Sequence, residues 1–186
     1  MSTFQTITRK GSFDSGHRVM NEKMKCFNMH GHTYLYELEF SFTQMEDIGY
    51  SIDFKEIKRV GAQWIDDKLD HGMILNPHDS AVISATNETN SKLWLMGLNG
   101  TGNYCNPTVE NIAKEIFLAM MILFKGYQGL KINKVTLYET PNCYTTCTYQ
   151  SISELEEKNW NKYNAYAVEQ YAKEKGIVNY DDRKQD

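Results

Sequence analysis

Along residues 33–43 the chain alternates between apolar and polar positions. Tyr34, Tyr36, Leu38, Phe40 and Phe42 fall on one side, and Glu37, Glu39 and Ser41 on the other. Successive side chains of a strand point to opposite faces, so this is a strand with one packed face and one polar face. Residues 3–9 read as a second strand. From Asp53 the period lengthens: Phe54, Ile57, Val60, Trp64 and Ile65 form the stripe of a helix that ends near Leu69, before an Asp70-His71-Gly72 turn. Asp53 is the predicted cap, with Glu56 placed as in a capping box. Residues 76–107 carry many Asn, Ser, Thr and Gly, including Asn99–Asn103, between Pro77 and Pro107, and only Lys92–Leu98 suggests a short strand. An irregular segment of that length in a compact domain is usually functional, mobile or at an interface.

A second helix is predicted after Pro107, with Thr108 as N-cap and a stripe of Ile112, Ala113, Ile116, Phe117, Met120, Leu123 and Phe124. Gly126 or Gly129 closes it, and strands follow at 131–139 and 143–150. From Ser151 the chain is charged and helix-prone, ending in a frayed DDRKQD. Two helices between two antiparallel strand pairs predict an α+β domain over residues 1–150, with both helices on one face of the sheet, followed by a helical extension over 151–186. Trp160, Tyr163, Tyr166 and Tyr171 give that extension apolar surface for a partner or for its own subunit.

Composition narrows the function classes. The formal net charge of −4 argues against general nucleic-acid binding, though a local basic pocket for a phosphorylated small molecule remains open. The start, MSTFQTITRKGSF, has no apolar core of a signal peptide, and the longest apolar run, Ile116–Phe124, is too short to span a bilayer. The expected compartment is the cytoplasm, where the four cysteines stay reduced.

The histidines carry the first chemical signal. In extended backbone His30 and His32 point to the same side, so both imidazoles can meet one metal ion, with Gly31 allowing close approach. If the flanking strands form a hairpin, His17 supplies a third nitrogen, and three histidines with an open fourth position make a catalytic rather than a structural zinc pattern. The competing reading is a pair of polar loop residues. Cys26, four residues before His30, is a fourth ligand, a nucleophile, a base, or an inert buried thiol. Asp70-His71 is a carboxylate beside an imidazole, or a surface turn. Glu139 shares a face with Val135 and Leu137, and a nearly buried carboxylate there suits the paired N–H donors of a guanidine-like ring edge. Glu110, in the first turn of the second helix, complements its dipole. Lys23, Lys25 and Arg18 flank Cys26 and are candidates for phosphate, or a solvated basic loop. Cys143 and Cys147 would lie about 13 Å apart on a strand, too far to share a metal, and Cys105 has no evident partner.

Six segments occur in an order that resembles the 6-pyruvoyl/6-carboxy-tetrahydropterin synthase family: FDSGHR (13–18), C-x3-HGH (26–32), GYSIDFKEIK (49–58), LDHGMILN (69–76), NPTVENIA (106–113) and LYET (137–140). The resemblance implies a tunnelling fold whose subunits assemble into a barrel, commonly a hexamer of two stacked trimers, with active sites at subunit interfaces. It implies Zn2+ on His17, His30 and His32, Cys26 as catalytic thiol, and Asp70 with His71 as the rest of the proton-transfer group. Glu139 would anchor the amino-pyrimidine edge of a pterin, with Thr108 and Glu110 lining the same pocket. The C-x3-HGH spacing resembles the 6-carboxy-tetrahydropterin synthase branch of queuosine biosynthesis, which takes dihydroneopterin triphosphate. The pyruvoyl branch and a non-catalytic pterin-binding zinc protein are the alternatives. The stretch 77–106 and the tail after 150 depart from the compact family pattern.

Overall fold

The alternation of Tyr34, Tyr36, Leu38 and Phe40 is realised as β2, His30–Phe42, with these four side chains buried and the residues between them open to solvent in part or in full. The computed structural model describes residues 5–98 and 105–177. Residues 3 and 4, all of Asn99–Asn103 and the terminal DDRKQD lie outside them. β1, Gln5–His17, pairs antiparallel with the whole of β2, Gln5 opposite Phe42 and His17 opposite His30. It runs eight residues past the predicted end at residue 9, because Phe13, Ser15 and His17 continue the inward alternation with mixed polarity that the apolar pattern does not register. Gly11 is required within it: a Cβ there would sit 2.3 Å from the Tyr36 hydroxyl on the paired strand.

β5, Leu130–Thr140, pairs antiparallel with β2, and β6, Cys143–Cys147, pairs antiparallel with β5. These four strands are the expected antiparallel sheet, with β6 ending at Cys147 and a 3-10 turn over Tyr149–Ser151 in place of its predicted last residues. Two short strands extend the sheet in parallel beside the His17 end of β1: β3, Gly72–Leu75, and β4, Lys92–Leu95, giving the order β4-β3-β1-β2-β5-β6. The stretch read as irregular thus holds β4, within the predicted Lys92–Leu98, and also a helix, Ser80–Glu88, capped by Asp79. That helix buries only Val82 and Thr86, and its Ser, Thr and Asn content is poor in intrinsic helix formers, so no periodic signal marks it.

The first predicted helix forms from Phe54–Ile57 and Gln63–Lys68 joined by a widened π turn, Lys58–Ala62. The Asp53 carboxylate accepts from the Lys55 amide at 2.8 Å, while the Glu56 carboxylate takes Arg59 and the Tyr127 hydroxyl. Asp53→Ala is expected to lower stability by about 1 kcal/mol, read as a lower urea midpoint at unchanged slope. The second helix is Val109–Leu123, with the Thr108 hydroxyl as cap. Both helices bury their stripes on one face of the sheet, apart from Phe54, which stays exposed in the first turn of the first helix; Ile57, Val60, Trp64, Ile116, Phe117 and Met120 meet Leu38, Phe40, Val135 and Leu137 in a single core.

The tail forms a continuous helix from Glu154–Trp160 through a π turn, Asn161–Ala165, to Tyr166–Glu174. Trp160 and Tyr171 are buried in the same core, whereas Tyr163 and Tyr166 face solvent. A buried carboxylate, Glu115, ties tail and insertion to the second helix. One of its oxygens accepts from the Gly97 and Leu98 amides at 2.5 and 3.1 Å; the other accepts from the Trp94 and Trp160 indoles and the Asn164 amide at 3.2, 2.6 and 2.9 Å. Burial pushes its carboxyl up to about 7, although the bonds from Gly97, Trp160, Asn164 and Trp94 pull the other way. Among the described residues no helix is long and apolar enough to cross a membrane.

Candidate metal and substrate site

The β1–β2 register sets Ser15 opposite His32 and His17 opposite His30, so the hairpin brings His17, His30 and His32 to one end of one face. One ring nitrogen from each lies within 4.8 Å of the others. His17 is buried, and its Nδ1 lies 2.7 Å from the Pro107 carbonyl oxygen. A carbonyl can only accept, so Nδ1 carries the proton and Nε2 keeps its lone pair. His30 is set the same way by the Asn28 carbonyl, at 2.7 Å. Burial, with smaller contributions from His30 and His32, lowers the His17 pKa to about 4 against the pull of Pro107, which keeps the ring neutral as metal ligation requires. The Nε2 atoms of His17 and His32 are buried with no hydrogen-bond partner. Such orphaned polar atoms are costly unless something binds them. Three converging imidazoles, two of them with a buried unpaired Nε2, fit a zinc ion.

Glu139 stands beside this triad, its Oε1 3.8 Å from His17 Nε2 and 3.9 Å from His32 Nε2. It falls where the β5–β6 register slips between Tyr138 and Thr140. A bulge at a strand end re-aims a side chain, which is how Glu139 leaves the regular ladder near the site. Cys26 lies in a one-turn 3-10 helix, Lys25–Phe27, whose Cys26 carbonyl accepts from the Val19 amide at 2.8 Å. Thr108 follows the carbonyl that holds His17 and caps the second helix, so that helix begins against the triad; Glu110 is exposed in its first turn.

Asp70 and His71 form a pair, with His71 Nδ1 2.6 Å from Asp70 Oδ2. The Asp70 bond, aided by its charge, raises the His71 pKa, and the bonds from the Asp14 amide and His71 outweigh burial to lower that of Asp70. The pair clusters with Asp14, their ligand atoms within 4.8 Å of one another. Asp14 is an odd number of residues from His17 on β1, so it points to the opposite face of the sheet. The hairpin therefore gathers His17, His30, His32 and Glu139 on the helix-covered face and sets the Asp70–His71 pair on the other. A shallow cleft of about 360 Å³ opens there, lined by Asp14, Gly16, Thr33, His71 and Gly72 and also by His32 of the triad.

Arg18 differs from its expected role. Its guanidinium makes two bonds of 2.5 and 2.8 Å to buried Asp79 and stacks on Phe27, so it braces the insertion rather than presenting its charge to a ligand. Lys23 and Lys25 remain exposed. Three site features escape the sequence pattern. The Pro107 carbonyl is backbone and leaves no signature in residue type. The buried pair Asn76 and Asn106, 2.9 Å apart, joins residues thirty positions apart in sequence. Tyr34 sits edge-on to His17 and His32 with a buried hydroxyl lacking a hydrogen-bond partner. Burial chiefly, then the Glu139 and Cys26 charges, oppose its ionisation.

Comparison with known proteins identifies the family and the fold. A family model described as 6-pyruvoyl tetrahydropterin synthase matches residues 6–150. The chain is 38% identical over 142 residues to a protein of Rickettsia felis named 6-carboxy-5,6,7,8-tetrahydropterin synthase, covering 74% of this chain and 95% of that one. Its fold matches an uncharacterised Wolinella succinogenes protein with a TM-score of 0.59 at 21% identity, covering 80% of this chain and 99% of that one. It also matches the Caenorhabditis elegans 6-pyruvoyl tetrahydropterin synthase with a TM-score of 0.54 at 22% identity, over 78% and 96% of the two chains. The residues past 150 lie beyond the matched region.

Proposed function

Because the chain belongs to the 6-pyruvoyl tetrahydropterin synthase family, we propose that it is a zinc-dependent 6-carboxy-5,6,7,8-tetrahydropterin synthase. It takes 7,8-dihydroneopterin triphosphate and water to 6-carboxy-tetrahydropterin, acetaldehyde and triphosphate, a lyase step of queuosine biosynthesis in the cytoplasm. The observation that carries the reading is the 38% identity to a relative of that name across 95% of its length.

His17, His30 and His32 would hold the zinc, in keeping with the two orphaned Nε2 atoms. Bound there, zinc supplies Lewis acidity toward the side-chain oxygens of the substrate. The Cys26 thiolate takes a proton from the substrate side chain, and the Asp70–His71 pair gives or takes the matching proton. Glu139 accepts the paired N–H donors of the pterin edge and so fixes where the side chain lies, with Thr108 and Glu110 lining the same pocket. The opposite-face placement of the Asp70–His71 pair supports a site completed across a subunit boundary, as in a hexamer built from two trimers. In this reading residues 1–150 are the catalytic domain and 151–186 an extension that braces it.

Incubating the zinc-loaded protein with dihydroneopterin triphosphate and identifying products by mass spectrometry tests the reading. 6-Carboxy-tetrahydropterin with acetaldehyde is the expected result. A pyruvoyl product would move the protein to the other branch of the family. No turnover with zinc bound would reject the catalytic reading in favour of a pterin-binding role.

A further inference from the structure

Asp14 holds the Asp70–His71 pair through its main chain. Its amide donates to Asp70 Oδ1 at 2.7 Å, and its carbonyl accepts from the His71 amide at 2.6 Å. These bonds keep His71 at φ 52°, a left-handed conformation that a residue with a side chain rarely adopts unless its surroundings impose it. With Nδ1 engaged by Asp70, the rest of the imidazole projects into solvent, 76% exposed.

The Asp14 side chain adds something that the main chain does not. Its Oδ1 accepts from the Thr33 hydroxyl at 2.5 Å, which fixes the carboxylate on the cleft side of the sheet, grouped with Asp70 and His71. Thr33 is the residue after His32. The strand that carries two of the metal-binding histidines on one face thus aims Asp14 on the other. The charged groups facing His71 are Asp70, Asp14 on β1, and Lys92 on β4. Lys92 opposes a positive ring, but its ammonium is tied to the Asp66 and Asp70 carbonyls. Two carboxylates against one imidazole favour the imidazolium, the form able to donate a proton.

We propose that Asp14, held by Thr33, is a positioning residue that acts on the reaction through His71, as the second carboxylate facing that ring. The proposal rests on reading Asp70–His71 as the proton-transfer pair. Asp14→Asn keeps the shape, the main-chain bonds and an acceptor for Thr33 while removing the charge.

The test is an NMR titration of the histidine C2 protons in the full-length, zinc-loaded protein, with the His71 signal assigned by its loss in His71→Asn. Asp14→Asn is expected to move the His71 midpoint to lower pH while the other histidines stay in place. In steady-state kinetics the same variant should lower kcat at unchanged KM, with the limb of the pH profile that reports His71 moving the same way. Thr33→Val, which leaves Asp14 charged but untethered, should move the midpoint in the same direction by less, and it serves if Asp14→Asn does not fold. An unmoved His71 midpoint in a folded Asp14→Asn protein overturns the proposal. A moved midpoint in a protein that turns over no pterin triphosphate upholds the Asp14–His71 coupling and rejects the catalytic reading instead.

Discussion

His30→Ala is expected to lose both metal and turnover, and Cys26→Ala to lose turnover while keeping the metal. Of the proposed ligands His30 is the better one to remove because it is partly exposed, whereas His17 is buried and holds the Pro107 carbonyl, so its loss would also disturb the start of the second helix. Removing groups that merely orient a metal ligand costs about 10–100-fold in metal affinity, so removing a ligand should cost ~100-fold or more. Metal content by mass spectrometry of dialysed protein should then fall from about one ion per chain to a small fraction of that. Cys26 lies in its own short turn, outside the triad of nitrogens, and its loss leaves that triad intact. Loss of a general base lowers turnover by about 10²–10⁴-fold. If Cys26→Ala protein also loses its zinc, the thiol is a ligand and its assignment as base is wrong.

Glu115→Ala is expected to have the largest effect on stability. It removes the acceptor from five N–H donors at once, and the two from Trp94 and Trp160 belong to large buried rings. Each buried donor left unmet costs about 1–3 kcal/mol, and release from burying a charge offsets part of the total, leaving a loss of roughly 3–5 kcal/mol. For a chain of this size that is a melting temperature lower by about 10 °C. Because the donors come from the insertion and the tail, limited proteolysis should cut after residue 150 faster in the variant. A melting temperature within about 2 °C of the parent and an unchanged cleavage rate would show that the clasp contributes little.

Glu115 also carries a pH signature. Its folded pKa, about 7, lies above the ordinary 4.5, so the folded chain binds this proton more tightly than the unfolded one. Its contribution is therefore full below 4.5, falls as pH rises toward 7, and is flat above. Glu156 acts in the opposite sense: burial raises its carboxyl, but bonds from Lys114 and Ser153 hold it below the ordinary value, so its contribution fades only in more acidic solution. Between about pH 4.5 and about pH 7, then, the parent should lose stability more steeply than Glu115→Gln.

Local periodicity made much of the fold legible. The alternation in β2 and the stripes of the two long helices follow from side chains repeating at the period of the element that buries them, while the tail was legible from its helix-prone composition. β3 and the Ser80–Glu88 helix are too short and too mixed in polarity to show a period, and they form where β1 and the Asp79 cap receive them. In the site, His-Gly-His declared itself because i and i+2 share a strand face. The Asp14–Thr33 contact gave no such sign, since an aspartate and a threonine nineteen positions apart meet only through strand register.

By itself, then, the sequence determined the longer elements, the candidate set of metal-binding histidines and the family to which the chain belongs, all of which depend on residue type, local spacing or matched motifs. The tertiary structure alone decided that the imidazoles converge, two of them with unpaired nitrogens, that Arg18 turns to Asp79, that Asp70–His71 lies across the sheet from the triad, and that one buried carboxylate joins residues 94–98 to the tail. These depend on register and on which face a side chain enters, and both are set by the burial of the whole core rather than by any local run of residues.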